Sequence, residues 1–157
     1  VNFDFDKRAV IEQLNKILEC ELAGVVRYTH YSLMIFGPSR IPIVQLFQRE
    51  ATESLTHAQQ AGELVTRLGG HPSLGIGPLL ETHQHDIDQI LRETLEAEHA
   101  ALALYYTLLK LVEGRSVPIE EYARDLILQE EAHIEEIDKM LRKPGDVDVS
   151  KAARELS

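Results

Sequence analysis

The sequence predicts an all-α fold: an antiparallel four-helix bundle with a long connection between the second and third helices. Four long segments carry apolar residues at helical spacing and are separated by glycine and proline. The two halves of the chain also place Glu, Tyr and His in matching order, and ionisable residues break the apolar seams at one level of the helices.

The first helix is expected from about Asp6 to Phe36, opened by Asp4 or Asp6 as a cap and ended by Gly37-Pro38-Ser39. The second runs from about Ile41 to Leu68, where Gly69-Gly70-His71-Pro72 stops it. An extended stretch follows, Ser73 to Leu80, broken by Gly75, Gly77 and Pro78. The third helix is expected from about Thr82 to Glu113, closed by Gly114. The fourth starts near Ser116, with Pro118 tolerated in its first turn, and ends before Pro144-Gly145. The tail, Asp146 to Ser157, is read as carrying a short fifth helix around Ser150 to Leu156. At 1.5 Å rise per residue the long helices span roughly 40 Å. Short turns make the first and last pairs antiparallel hairpins, and the longer middle stretch can run the length of the bundle as a crossover.

Composition narrows the function. The 157 residues suit one domain, with the bundle over about 6–143 and a tail over 144–157. No apolar run approaches the roughly 20 residues that cross a bilayer, so no membrane association is expected. The opening residues do not read as a secretory leader. A net charge of −10 repels nucleic-acid phosphate and concentrates cations, although by itself it need only keep the protein soluble. Cys20 is the single cysteine, which excludes an internal disulfide framework and a Cys-rich metal site; a reducing cytoplasm is the expected setting.

The halves repeat. Glu21-Leu22-Ala23 with Tyr28 matches Glu98-His99-Ala100 with Tyr105 at an offset of 77, and His57 matches His133 at an offset of 76. A repeat in a bundle predicts a pseudo-two-fold axis with similar groups on both sides. On the first helix the seam reads Leu14, Leu18, Glu21, Val25, Tyr28; on the third, Leu91, Leu95, Glu98, Leu102, Tyr105, Leu109; on the fourth, Ala123, Leu126, Glu130, His133, Ile137, Met140. Carboxylates thus occupy slots meant for Leu or Ile. An unpaired carboxylate in a dry core costs at least several kcal/mol and normally protonates. Several facing one another need a positive partner. No Lys or Arg stands on these seams at that level, which leaves a pair of divalent metals as the simplest candidate.

Glu130 and His133, three residues apart, project from one helix face. Carboxylate di-metal bundles use one Glu from each of two helices and a Glu-x-x-His from each of the other two. Glu21 and Glu98 are the lone glutamates here, and Glu130-Glu131-Ala132-His133 is one complete motif. Mixed carboxylate and imidazole ligation suits iron or manganese, and zinc less specifically. The second helix departs from the pattern. Its seam reads Ile43, Phe47, Glu50, Ser54, His57, Ala61, Leu64, Leu68, and Ser54 stands where the motif needs Glu. Glu53, four residues before His57, can swing in from the flank; Glu50 lies on the seam a turn earlier. Either substitutes, or the second metal position is weak or empty.

With these residues in place the chain resembles a bacterioferritin. The resemblance covers residues 7 to about 142 and rests on Leu18-Glu19-Cys20-Glu21-Leu22 followed by Tyr28, on His57-Ala58, on Glu98, and on Leu128-Gln129-Glu130-Glu131-Ala132-His133-Ile134. It implies a ferritin-like bundle whose di-iron ferroxidase ligands include Glu21 and Glu98 as terminal carboxylates, Glu130 as a bridge, and His57 and His133 as nitrogen ligands. Glu53 completes the expected set, and Tyr28 is implied to stand close by. The resemblance further implies a homo-oligomer, a hollow cage of 24 subunits that oxidises Fe(II) with dioxygen or peroxide and stores the ferric mineral. Two departures qualify it. Ser54 replaces the second bridging glutamate, and Leu55 stands where the family has its haem-binding methionine, so haem is not expected; Met34 and Met140 are elsewhere.

The remaining polar residues have plainer readings. His30 and His99 are read as satisfied core residues, and His71, His83 and His85 as loop or helix-start residues without a metal. Glu120, Glu121, Glu135 and Glu136 form solvated faces, and Tyr28 and Tyr105 are as readily core tyrosines bonded to a glutamate as redox groups. Besides a ferroxidase, two functions fit the sequence. One is a bundle subunit with an impaired or single-metal site, which Ser54 motivates. The other is a rubrerythrin-like peroxidase, ranked lower for want of a Cys-x-x-Cys pair.

Overall fold

A computed structural model describes residues 4–79 and 81–147. It contains α1 (Lys7–Met34), α2 (Arg40–Arg67), α3 (Ile87–Val112) and α4 (Val117–Leu141), with no β-strand among the described residues. The fifth helix expected over 150–156 lies outside them. α1 packs on α2 and α3, and α3 on α4. Gln13 meets Leu104, Tyr28 meets Glu98 and Tyr31 meets Glu93, so α3 runs antiparallel to α1. No helix among the described residues is long and apolar enough to cross a membrane.

Local chemistry sets the helix ends. The Asp6 carboxylate accepts from the Ala9 N–H at 3.0 Å and starts α1. At the other end the Arg40 guanidinium donates to the carbonyls of Ser32 and Ile35, at 3.1 and 2.6 Å, and takes up acceptors that the last turn leaves bare. α3 begins five residues later than the sequence suggests. Asp86 caps it through the Gln89 N–H at 3.0 Å. The residues before Asp86 are committed elsewhere: the His83 N–H donates to the Glu81 carboxylate, and the Thr82 hydroxyl donates to Glu93. These local bonds compete with the helical ladder and win.

The crossover is tied to α1. Asn15 donates to the His71 carbonyl at 3.1 Å and accepts from the Ser73 N–H at 2.9 Å. Farther along, the Gly77 N–H donates to the Glu19 carbonyl at 2.9 Å. A β-carbon at Gly77 would stand 3.3 Å from that carbonyl oxygen and 3.4 Å from the Cys20 α-carbon, so glycine lets the crossover lie this close to α1 without a shift.

The apolar core has two parts. One collects Val10, Leu14, Ile17, Leu64, Leu108 and Leu126 among others. The second collects Tyr28, Tyr31, Phe47, Ile90, Leu95 and Ile137 among others. Between them the seams carry acid and imidazole instead of hydrocarbon. Met140, expected on the fourth seam, is exposed: α4 ends one residue later, where the bundle stops covering it.

Asn15→Ala removes two hydrogen bonds that hold the crossover. It is expected to lower unfolding free energy by about 1–2 kcal/mol. A lowered urea midpoint with unchanged slope and helix content is the expected result.

Candidate metal centre

Four helices contribute to the acidic layer. Glu21 comes from α1, Glu50 and His57 from α2, Glu98 from α3, and Glu130 and His133 from α4. Glu21, Glu50, His57, Glu98 and Glu130 are 5, 6, 4, 5 and 2% exposed, respectively, deep enough that water does not compensate their charge. His57 Nδ1 lies 3.5 Å from Glu21 and 3.6 Å from Glu130. His133 Nδ1 lies 3.4 Å from Glu50 and 3.9 Å from the other oxygen of Glu130. Glu130 therefore stands between the two histidines. Oxygens of Glu98 and Glu130 and a His133 nitrogen lie within 4.8 Å of one another, as do donor atoms of Glu21, His57 and Glu130, and of Glu50, Glu53 and His133.

The outer nitrogen of each histidine is held from the opposite hairpin. Gln129 donates through Nε2 to Asp125 at 2.8 Å, which turns its carbonyl oxygen toward His57 Nε2 at 3.0 Å. That oxygen only accepts, so Nε2 carries the proton and neutral His57 presents a bare Nδ1 lone pair to the centre. His133 Nε2 meets Glu53 at 2.8 Å. Gln129 precedes His133 by four residues and Glu53 precedes His57 by four, so the two brackets occupy repeat-related positions and cross between halves. The tyrosines cross likewise: Tyr28 donates to Glu98, and Tyr105 donates to Glu21 at 2.7 Å.

Symmetry fails at one point. Opposite Glu130 in the repeat is Ser54, buried against α1, where a β-carbon on Gly24 would come 2.9 Å from the Ser54 hydroxyl oxygen. Gly24 thus gives the Ser54 hydroxyl its room on the face of α1. Glu50, one helical turn earlier, reaches His133 Nδ1 instead. Of the two glutamates the sequence offers, Glu50 is buried beside the inner nitrogen, whereas the Glu53 side chain is 38% exposed on the outer one.

Electrostatics follow from this crowding. Burial first, then the charges of Glu98 and Glu53, push the Glu50 carboxyl up to about 8. Glu130 is raised well above the usual carboxylate range, by burial and then by Glu98, Glu21 and Glu50. Burial works to lower His57, but Glu21 and Gln129 outweigh it and the net shift is upward. Without a cation, protons occupy the layer. At the centre, two buried atoms of the layer, His57 Nδ1 and Glu130 Oε2, are among those with no hydrogen-bond partner. A bare imidazole nitrogen beside carboxylate oxygens is a donor set for a divalent cation, and the residues present fit one.

Three readings of the sequence are corrected. Arg27 is buried near this level, with its guanidinium carbon 5.2 Å from the centre of the Tyr28 ring, although no ion pair joins it to the layer's carboxylates among the described residues. His99 is exposed, because it falls on the outer face of α3, and His30 is also partly exposed. Glu93 was not anticipated at all. It is 4% exposed, off the seam, and satisfied by the hydroxyls of Tyr31 at 2.6 Å and of Thr82; only the folded crossover supplies the second donor.

Two outcomes are expected. Glu130→Ala should abolish metal loading of the acidic layer while leaving the metal-free fold as stable or more so, since it relieves buried repulsion; thermal unfolding after chelation checks this. For pH, Glu50 has a folded value of about 8 against an ordinary 4.5. The folded state then binds more protons than the unfolded one between those values. Its stabilising contribution is full below 4.5 and is lost as pH rises through about 8. Glu130 and His57 are shifted in the same direction and act with the same sign. Metal-free protein should therefore lose stability from about pH 5 to pH 8, and Glu50→Gln should flatten that slope in urea unfolding.

Residues 11–145 match the ferritin-like domain family. No curated protein matches the chain. Among solved structures, a ferritin-like diiron-carboxylate protein from Bacillus anthracis str. Ames superposes with a TM-score of 0.82 at 23% identity, over 87% of this chain and 97% of that one. The dodecameric thioferritin of Bacteroides fragilis, a bacterioferritin-related protein, gives 0.77 at 22% identity over 96% and 90%. The Desulfovibrio desulfuricans bacterioferritin, which has a diiron site, gives 0.76 at 24% over 94% and 86%. At these identities the likeness speaks for the fold alone. The family match spans nearly the whole bundle and both hairpins of the acidic layer, and on it the chain belongs to the ferritin-like domain family.

Proposed function

We propose that the chain takes two Fe(II) ions as substrate in the acidic layer, oxidises them to Fe(III), and serves in iron storage and detoxification. The observation that carries this reading is the pair of buried, unpartnered donors, His57 Nδ1 and Glu130 Oε2, among four buried glutamates from four helices. One ion would be held by Glu21, His57 and Glu130, the other by Glu50, Glu98, His133 and Glu130. Glu130 is the shared carboxylate. Glu53 orients His133 from outside, as Gln129 orients His57. Glu53 is thus assigned to positioning, in place of the direct ligation expected from sequence.

Each residue has a stated task. Glu50 and Glu130 give up their protons as Fe(II) enters, so loading releases acid and strengthens with pH. Carboxylates favour the more highly charged product over Fe(II). Tyr28 and Tyr105 donate to Glu98 and Glu21 and hold the terminal carboxylates in register. Each Fe(II) gives one electron, and the oxidant, dioxygen or hydrogen peroxide, takes two. A cavity of about 290 Å³ lined by Arg49, Glu50, Glu53, His133 and Glu136 opens onto the His133 side and gives ions a path. Storage requires a shell of subunits. The dodecamer formed by the Bacteroides fragilis relative supports a homo-oligomer of this kind; the single cysteine, Cys20, suits a reducing cytoplasm. Leu55, on the exposed side of α2, offers no thioether to a haem.

Ser54 favours a second reading, a subunit that holds one metal and depends on a competent partner. Stoichiometry separates the two. Anaerobic Fe(II) titration should saturate near two ions per chain and give a di-ferric absorption band on admission of oxygen. Saturation near one, or no band from loaded protein, would favour the single-metal subunit.

A further inference from the structure

A second group of metal-ligating side chains lies away from the acidic layer, where the crossover returns to α1. His30 projects from α1, and Glu81 and His85 come from the residues just before α3. One donor atom from each lies within 4.8 Å of the others. His85 Nε2 is 3.5 Å from Glu81 Oε1, and the two imidazole rings meet edge to face with centroids 5.7 Å apart. His30 Nε2 comes to 2.7 Å from Glu81 Oε2 without the alignment of a hydrogen bond. In consequence Glu81 Oε2 and His85 Nε2 are both buried atoms with no hydrogen-bond partner.

We propose that His30, Glu81 and His85 form a separate site for a single divalent transition-metal ion, Zn²⁺ or Fe²⁺, which clips the end of the crossover to α1. Ligands at about 2.0–2.2 Å from a tetrahedral ion stand roughly 3.3 Å apart. The Glu81–His85 separation already matches, and a small opening of the His30–Glu81 contact completes the set. Two imidazoles with one carboxylate select a borderline cation over Mg²⁺ or Ca²⁺. Charge alone does not hold the ion, since Arg27 lines the same cavity, about 180 Å³ in volume, with Val26, His30, Leu79 and Glu81. The carboxylate is fixed in place by its bond from the His83 N–H, made in a turn where His83 adopts φ 60°. His83 has an exposed ring 4.0 Å from Glu81 and is left outside the set. Thr82, in the same turn, is anchored to buried Glu93, so the ligands are placed by structure on both sides.

Equilibrium dialysis of the full chain against Zn²⁺, with elemental analysis, tests the site independently of iron oxidation. His30→Ala/His85→Ala should lose about one Zn²⁺ per chain with unchanged far-ultraviolet circular dichroism. Glu130→Ala should retain that ion, and excess Mg²⁺ should not displace it. Glu81→Gln, which keeps the side-chain volume, should show the same loss and decides the matter if the double variant does not fold. Unchanged Zn²⁺ stoichiometry in a folded variant, loss of the same ion in Glu130→Ala, or displacement by Mg²⁺ would overturn the proposal.

Discussion

Carboxylates buried at mid-height between two apolar clusters dominate the energetics of this bundle. Hydrocarbon above and below excludes water, and among the described residues no Lys or Arg forms an ion pair with these carboxylates. Compensation then falls chiefly to what is mobile: protons or metal ions. Raised titration of Glu50 and Glu130 shows how strongly the layer retains protons when no cation is there. The same crowding makes the metal-free fold carry unfavourable charge, an arrangement that serves cation binding at the expense of stability. Helix lengths, seam composition and cross-helix tyrosines all answer to that constraint.

The pseudo-two-fold relation explains how so few residues make two similar sets of donor atoms. Four orienting contacts cross from one hairpin to the other: Tyr28 to Glu98, Tyr105 to Glu21, Gln129 to His57, Glu53 to His133. The layer thus clamps the halves together while orienting its own donors. Departure from symmetry at Ser54 is equally physical. Ser54 packs on Gly24 of α1, and Glu50, one turn away on α2, places a carboxylate beside His133. The two donor sets are consequently unequal, one deeply enclosed by Glu21 and His57 and the other next to a cavity lined by Glu50, Glu53 and His133.

The crossover has more than a topological role. Asn15 and the Glu19 carbonyl bind it early, and Thr82 binds it late to a glutamate that α3 would otherwise bury without a second donor. Its final turn presents Glu81 and His85 to His30. His30 lies far from Glu81 and His85 in the chain, so no local spacing joins the three.

Much of this was determined by the sequence alone. Apolar spacing and Gly/Pro punctuation define four helices, because periodicity and caps are local properties. The repeat and the glutamates on the seams identify Glu21, Glu98, Glu130, His57 and His133 as one layer, since residues on facing seams at one height must meet. Tertiary structure decided what depends on distances between helices. It chose Glu50 over Glu53 for the inner position, because the packing of α2 buries Glu50 beside His133 Nδ1 and leaves Glu53 at the bundle's edge. It delayed α3 to Asp86 because Thr82 finds a partner in Glu93, a contact no local rule contains. It brought His30, Glu81 and His85 together, since the path of a crossover follows from packing and not from its own composition.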